Sequence, residues 1–285
     1  MEITVADEQA WLLTEQLSMD QAEGRAWSKK TDAFGTMAKV TSFLQRPKDD
    51  EFELIYKEHR YQPFWHVTLQ TRYVYERARP YTLSVSDAAV EKVTISGTTY
   101  VPQGGKVQLS GTEHCREEGS EAIFIEGIAG ERNPNLATYL TFNRVEIPED
   151  QLDEFAAKDV VVVPPKANAS TIVQDVLAKA IKSIEADRII ENQITVETVD
   201  LYYHPVYAFQ YRWLPKEKEA VLEYDGLTGE LRTGGQVFKQ HIGKMLDPQF
   251  LFDIGVDTVD LLVPGGGIAI KLAKRGISAA KSKKK

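Results

Sequence analysis

Two stretches of this chain alternate apolar and polar positions around a shared phrase. "HRYQPFWHV" (His59–Val67) and "YYHPVYAF" (Tyr202–Phe209) both carry Tyr, one residue, Pro, an apolar residue and a large aromatic. Tyr61 and Tyr203, Pro63 and Pro205, and Trp65 and Tyr207 are each 142 positions apart. The offset is even, and side chains in a strand alternate with period two, so the matched residues keep their face. In the second stretch Tyr203, Pro205, Tyr207, Phe209, Tyr211 and Trp213 share one face, while Tyr202, His204, Val206, Ala208, Gln210 and Arg212 share the other. In the first, Tyr61, Pro63, Trp65, Val67, Leu69, Tyr73 and Tyr75 share a face broken by Thr71. Both stretches read as strands. A proline gives no ladder donor, so Pro63 and Pro205 predict a kink or a strand entry.

The surrounding pattern predicts the same order of elements twice. Strand-like runs precede each phrase, Glu51–Tyr56 and Gln193–Leu201, and return strands follow, Arg79–Val85 and Glu219–Asp225. Before these, "STIVQDVLAKAIKSIEADRII" sets Ile172, Val173, Val176, Leu177, Ala180, Ile181 and Ile184 on one helical stripe behind a Ser170 or Thr171 cap. The first counterpart is "TDAFGTMAKVTSFLQRP", capped at Thr31 or Asp32 and stopped by Pro47. The fold class this predicts is α+β: two tandem helix-plus-antiparallel-sheet units, related by the 142-residue offset, and a C-terminal helical hairpin. The domains are an N-terminal arm (1–30), a first unit (31–165) with a β-rich insertion at about 90–165, a second unit (166–235), and the hairpin with a basic tail (236–285). The insertion holds strand-like text, a short helix "PEDQLDEFAAK" with Pro148 in its first turn, and a buried strand "DVVVV" before a Pro-containing linker.

The second unit closes with "DGLTGE" (Asp225–Glu230), whose glycines suit a tight turn. With its helix and antiparallel strands it resembles PepSY-type modules, small α+β domains usually found outside cells as inhibitory or pro-segment units. The resemblance covers about Ser170 to Gly235, a quarter of the chain, and implies a topology without an activity. No matching turn is read in the first unit.

At the C-terminal end, "DPQFLFDIGVDTVDLLV" and "IAIKLAKRGISAAK" flank the break "PGGG". Asp260 and Lys271, and Asp257 and Lys274, are equidistant from that break and would meet in an antiparallel helical hairpin, with Arg275 beside them. The N-terminal run around Trp11, Leu12, Leu13 and Leu17 reads as a short amphipathic docking arm.

Composition narrows the function classes. The 285 residues are 42% hydrophobic and 27% charged, in the range of soluble globular chains, and the length favours two domains over one. A net charge of −8 argues against a nucleic-acid partner, although Arg60, Arg72, Arg77 and Arg79 interleave with aromatics. The single cysteine, Cys115, excludes an internal disulfide framework. No signal peptide or membrane-length apolar stretch is read, so a bacterial-type cytoplasm is expected.

"GTEHCREEG" is the one local cluster of reactive types. A thiolate needs a base and an electropositive setting, yet His114 and Cys115 point to opposite faces of a strand, and Glu113, Glu117 and Glu118 raise a thiol pKa. The histidines lack zinc-ligand spacing, and "GGQ" and "PGGG" lack a phosphate-loop frame. No cofactor and no metal ion is expected. The sequence therefore points to a non-enzymatic binding or scaffold protein presenting two similar sheet faces to a protein partner or a second copy. The binding candidates are Tyr61, Phe64, Trp65, Tyr203, Tyr207, Lys271, Lys274 and Arg275. Two alternatives stand beside it: a hydrolase using Glu113, His114 and Cys115, and a peripheral membrane adaptor acting through residues 250–285.

Overall fold

The computed structural model describes residues 1–35, 47–148, 160–233, 235, 251–254 and 269–273. They form β1 (Glu2–Ala6), β2 (Glu8–Leu13), α1 (Met19–Ser28), β3 (Phe52–Ser84), β4 (Val93–Ile95), β5 (Thr98–Tyr100), β6 (Lys106–Glu126), β7 (Arg144–Ile147), β8 (Val161–Val162), α2 (Ala169–Ala180), β9 (Arg188–Trp213), β10 (Lys218–Asp225), β11 (Leu231–Thr233) and β12 (Ala269–Ala273). Short 3₁₀ turns lie at Lys30–Phe34 and Pro134–Thr141. Apart from the small β4–β5 hairpin, the described strands belong to one mixed sheet.

This overturns the expected α+β fold of two tandem units. The structure is mostly β, and the two phrases are neighbours in one sheet. β3 and β9 run antiparallel from Phe52 opposite Trp213 to Glu76 opposite Arg188. Tyr61 faces Pro205, Pro63 faces Tyr203, and Gln62 faces His204 between them. A recurrence read along the chain as tandem copies is thus a head-to-tail pairing of two like strands. Neither proline breaks its strand: Glu51–Tyr56, the aromatic phrase and Arg79–Val85 all fall within or beside the 33-residue β3.

The prolines are tolerated because of what lies beside them. Pro63 carbonyl oxygen accepts from Gly127 N at 2.9 Å, and Pro205 carbonyl oxygen accepts from Gly226 N at 2.8 Å. Each proline lacks the N–H that would answer the glycine carbonyl. That carbonyl is met instead by the linker entering a helix: Lys166 N donates to Gly127 O at 2.7 Å, and Gln16 N and Leu17 N donate to Gly226 O at 2.9 and 3.0 Å. A turn follows each glycine. Glu126–Glu131 ("EGIAGE") closes with Gly130 N to Glu126 O at 2.9 Å, and Asp225–Glu230 ("DGLTGE") with Gly229 N to Asp225 O at 2.8 Å. So the first phrase does have a matching turn. It lies further along the chain because β3 and β6 form a longer hairpin than β9 and β10.

The helices cover one sheet face. α1 is set by a capping box, in which Ser18 Oγ accepts from Gln21 N and Gln21 Oε1 accepts from Ser18 N. It packs Ala22 and Ala26 on Tyr207, Phe209, Tyr211 and Leu222. α2 packs Ile172, Val173, Val176 and Leu177 on Trp65, Val67, Leu69, Leu201 and Tyr203. The expected N-terminal arm therefore supplies β2 and α1, with Trp11, Leu12 and Leu13 in a strand beside β9. The helix expected at 31–47 is a 3₁₀ turn at its start, and 36–46 lie outside the described residues. α2 is capped by Asn168, not Ser170 or Thr171, and ends at Ala180; Ile189 and Ile190 belong to β9, where β3 offers a partner ladder.

The expected insertion supplies β6, which pairs with β3 along its whole length. "LATYLTF" is a 3₁₀ turn over the second sheet face, and "PEDQLDEFAAK" lies outside the described residues beyond Pro148. The C-terminal expectation changes too. Ala269–Ala273, which includes Lys271, is a strand parallel to β1 and not the start of a helix. Leu251 sits in the main core, and Asp253 carboxylate accepts from Ser170 N and Oγ at 3.0 and 2.7 Å, at the N-terminus of α2. The rest of the expected hairpin lies outside the described residues. Among the described residues no helix is long and apolar enough to cross a membrane.

Candidate functional site

The expected aromatic binding residues are core, not surface. Phe64, Trp65, Tyr203 and Tyr207 are fully buried and Tyr61 is half-buried. Trp65 Nε1 donates to Ala167 O at 3.1 Å, and Tyr207 OH donates to Glu15 Oε2 at 2.5 Å, so each ring end is met by the linker before a helix. The two sheet faces expected to be on display are thus the floors of two helix-covered interiors. Tyr61 and Tyr207 do come together around His59, at ring-centroid separations of 5.0 and 4.9 Å. Burial lowers the His59 pKa against the opposing pull of Glu15. Lys271 lies opposite Thr4 in β12, and Lys274 and Arg275 lie outside the described residues.

Glu113, His114 and Cys115 sit on β6 opposite Arg77, Glu76 and Tyr75. Glu113 accepts from Tyr81 OH at 2.7 Å and Arg77 Nε at 2.5 Å, bonds that hold its carboxyl below the usual range. His114 is exposed, its Nδ1 3.1 Å from Glu76 Oε1. His66 faces Phe124, ten residues down the same ladder from the Glu76–His114 pair, about 30 Å away at strand rise. His59 and His66 of the first phrase are therefore held apart from Cys115 by the strand itself.

The densest polar chemistry is on the sheet face opposite the helices, and sequence reasoning missed it. Arg60, 1% exposed, bonds Glu58 Oε1 at 3.2 Å and Glu223 Oε1 at 2.5 Å across the small side chain of Ala208. Beside them Tyr139 OH donates to Asp225 Oδ2, and Asp225 Oδ1 accepts from Leu227 N and Thr228 N at 2.9 and 3.0 Å. His204 lies under Tyr139 at 4.8 Å with Nδ1 buried and without a partner. Burial pushes its pKa down to about 4 against the pull of Asp225. Further along, His66 stacks on Phe124 at 4.6 Å and is also pushed down to about 4, first by burial and then by Arg144. Tyr202 OH accepts from Arg144 and lies 3.4 Å from Asp200 Oδ2. The signal was present: Glu58, Arg60 and Gln62 alternate within a strand whose second face also carries Phe64. Period-two polarity by itself suits a solvent-facing side, whereas the 3₁₀ turn Pro134–Thr141 covers part of that face with Leu136 and Tyr139.

Beyond this covered half the same face is open. A groove of about 620 Å³ runs across β6, β3 and β9, lined by Gln70, Thr71, Arg72, Ser120, Gln193 and Thr195 among others. Past Glu76 opposite Arg188, β9 ends while β3 and β6 continue together to Ser84 opposite Lys106. This two-stranded wing extends about 25 Å and leaves Tyr81 46% and Leu83 40% exposed. Among the described residues no group of histidine, cysteine and carboxylate side chains could hold a metal ion. Comparison with protein-family models finds no match, and neither does comparison with curated proteins or with solved structures.

Proposed function

We propose that this chain is a non-enzymatic binding protein of the cytosol that engages another polypeptide through its outer strands, β3 and β6. One observation carries the reading: β3 and β6 continue beyond the body of the sheet as a wing that exposes Tyr81 and Leu83. The cores under α1 and α2 are complete without this segment. Large apolar side chains held out on an ordered ribbon are a recognition surface in search of a partner. The open groove at the base of the wing supplies amide and hydroxyl groups for the polar rim of such an interface.

The test is a shortened wing, in which Ala78 to Thr112 is replaced by a two-residue Asn-Gly turn joining Arg77 to Glu113. A partner cross-linked to the full chain in its host cell should be lost from the shortened chain, while thermal unfolding of the body is unchanged. Retention of that partner by the shortened chain overturns the reading.

A further inference from the structure

We infer that the wing takes a short acidic segment of the partner, with large apolar side chains beside its carboxylates, on the face that bears Arg79, Tyr81 and Leu83. The inference deepens the reading above and rests on it. Its first ground is the way Tyr81 is held. Side chains alternate along β3, so Arg79, Tyr81 and Leu83 share a face, with Gly111, Leu109 and Val107 opposite them on β6. A Cβ at Gly111 would lie 2.9 Å from Tyr81 Cε2 and 3.0 Å from its Cδ2, so the ring rests on the glycine. The hydroxyl donates to Glu113 Oε1 at 2.7 Å. One side of the ring is thus seated and its tip is tied, while the residue stays 46% exposed. A ring fixed before the partner arrives loses little freedom on binding, which is what an interface anchor requires. Leu83 extends the apolar strip toward the end of the wing.

The second ground is the charge left over once the chain's own ion pairs are made. At the base of the wing the carboxylates are held: Glu113 by Arg77, Glu117 by Lys182, Glu121 by Arg132 and Glu76 by Arg188. Beyond it, the segment from Ala78 to Thr112 carries Arg79, Lys92 and Lys106 against Asp87 and Glu91, a positive balance in a chain of net charge −8. Asp87 Oδ1 already accepts from Ala89 N at 2.9 Å. Among the described residues none of the three cations has an ion-pair partner. Arg79 lies diagonally across from Glu113, whose two oxygens are taken by Tyr81 and Arg77. A guanidinium beside an apolar strip, with no carboxylate of its own, is complementary to a carboxylate from outside.

The same charges select a polypeptide over a long polyanion. Nucleic acid or an anionic membrane repeats its phosphates along the ribbon and would meet Glu76, Glu113, Glu117 and Glu118 as well as Arg79. A short segment avoids them by setting its carboxylates at Arg79 and its apolar side chains on Tyr81 and Leu83. Four residues of strand separate Arg79 from Leu83, a span of about 13 Å, so four or five residues of an extended peptide cover the face.

The experiment uses the full chain and a fluorescein-labelled peptide, Glu-Glu-Thr-Leu-Thr-Leu, followed by anisotropy at low and high salt. The expected result is saturable binding that weakens as salt rises. The same peptide with Lys for Glu should not bind. Arg79→Gln and Tyr81→Ser should each weaken binding by about tenfold or more. Both residues lie outside the cores under α1 and α2, so the melting temperature should not move. Equal binding of the two peptides, an affinity indifferent to both substitutions, or no binding overturns the inference. So does tighter binding of a poly-dT oligonucleotide or of phosphatidylserine vesicles, or a dimer of the full chain that Tyr81→Ser breaks apart. The cross-linked partner then separates two failures. Kept by the Arg79→Gln, Tyr81→Ser double variant but lost on shortening the wing, it overturns the acidic-segment assignment alone; kept by both, it overturns the binding reading as well.

Discussion

Placing a methyl group on Gly127 or Gly226 should be among the most damaging small changes available to this chain. An added Cβ at Gly127 would lie 2.6 Å from Pro63 Cγ and 2.7 Å from its carbonyl carbon, with the carbonyl oxygen closer still. At Gly226 it would lie 2.8 Å from Pro205 Cγ and 2.9 Å from Pro205 Cβ and O. Neither obstacle can rotate away, because a proline ring and a strand carbonyl are fixed by the backbone. The glycine must retreat, which stretches its own bond to the proline carbonyl and those from the helix-entry linker to its oxygen. Overpacking of this kind costs about 1 to 3 kcal/mol, and a weakened backbone hydrogen bond adds about 1 kcal/mol. We expect Gly127→Ala and Gly226→Ala each to lose about 2 to 4 kcal/mol in urea unfolding, with a melting point lower by roughly 5 to 10 °C. Gly24→Ala is the control. That glycine lies inside α1 with nothing within 4 Å of the new atom, so the change should stabilise by about 0.5 to 1 kcal/mol. If both turn variants match wild type while Gly24→Ala behaves as expected, the paired proline–glycine contacts do not hold the sheet in the way argued here.

Acid should weaken the fold through His204. Its folded-state pKa, about 4, lies below the ordinary 6.5, so the unfolded chain takes up the proton first and stability falls as pH drops through that window. The loss for this group between pH 7 and pH 5 is about 2 kcal/mol, and His204→Gln should flatten the pH dependence of urea midpoints by that amount. Arg60→Met would strand Glu58 and Glu223 without the guanidinium between them and should cost about 3 to 5 kcal/mol by chemical denaturation. Ser18→Ala removes the acceptor for Gln21 N and should cost about 1 kcal/mol, read by the same method, whereas Ser18→Asp should restore it.

The faces of both long strands were legible because alternation with period two leaves a local record: the residues assigned together around Trp65 and Tyr207 do lie together. What no local pattern records is which strand lies beside which. Tyr61 opposite Pro205 and Pro63 opposite Tyr203 produce the same 142-residue recurrence as tandem copies would. The apolar stripe of Ile172, Val173, Val176 and Leu177 held as a helix, Ala169–Ala180, although Asn168 and not Ser170 or Thr171 caps it. Helix signals failed where apolar residues at helical spacing met an open ladder, as at Ile189–Ile190 and Ala269–Ala273. The buried polar face was hidden for a different reason: Glu58, Arg60 and Gln62 look solvated until Glu223 and Tyr139 arrive from distant parts of the chain. The wing of β3 and β6 is equally nonlocal, since it exists only where β9 has stopped pairing.

The antiparallel union of β3 with β9 also dictates how this chain must assemble. Neither hairpin can finish its interior until β3 and β9 have paired, and even their nearest opposed residues, Glu76 and Arg188, are far apart in sequence, so ordering requires an expensive loop closure. Refolding should be slow and all-or-none. A chain cut between Ala180 and Arg188 should give two fragments that stay unstructured apart and recover the sheet only when mixed.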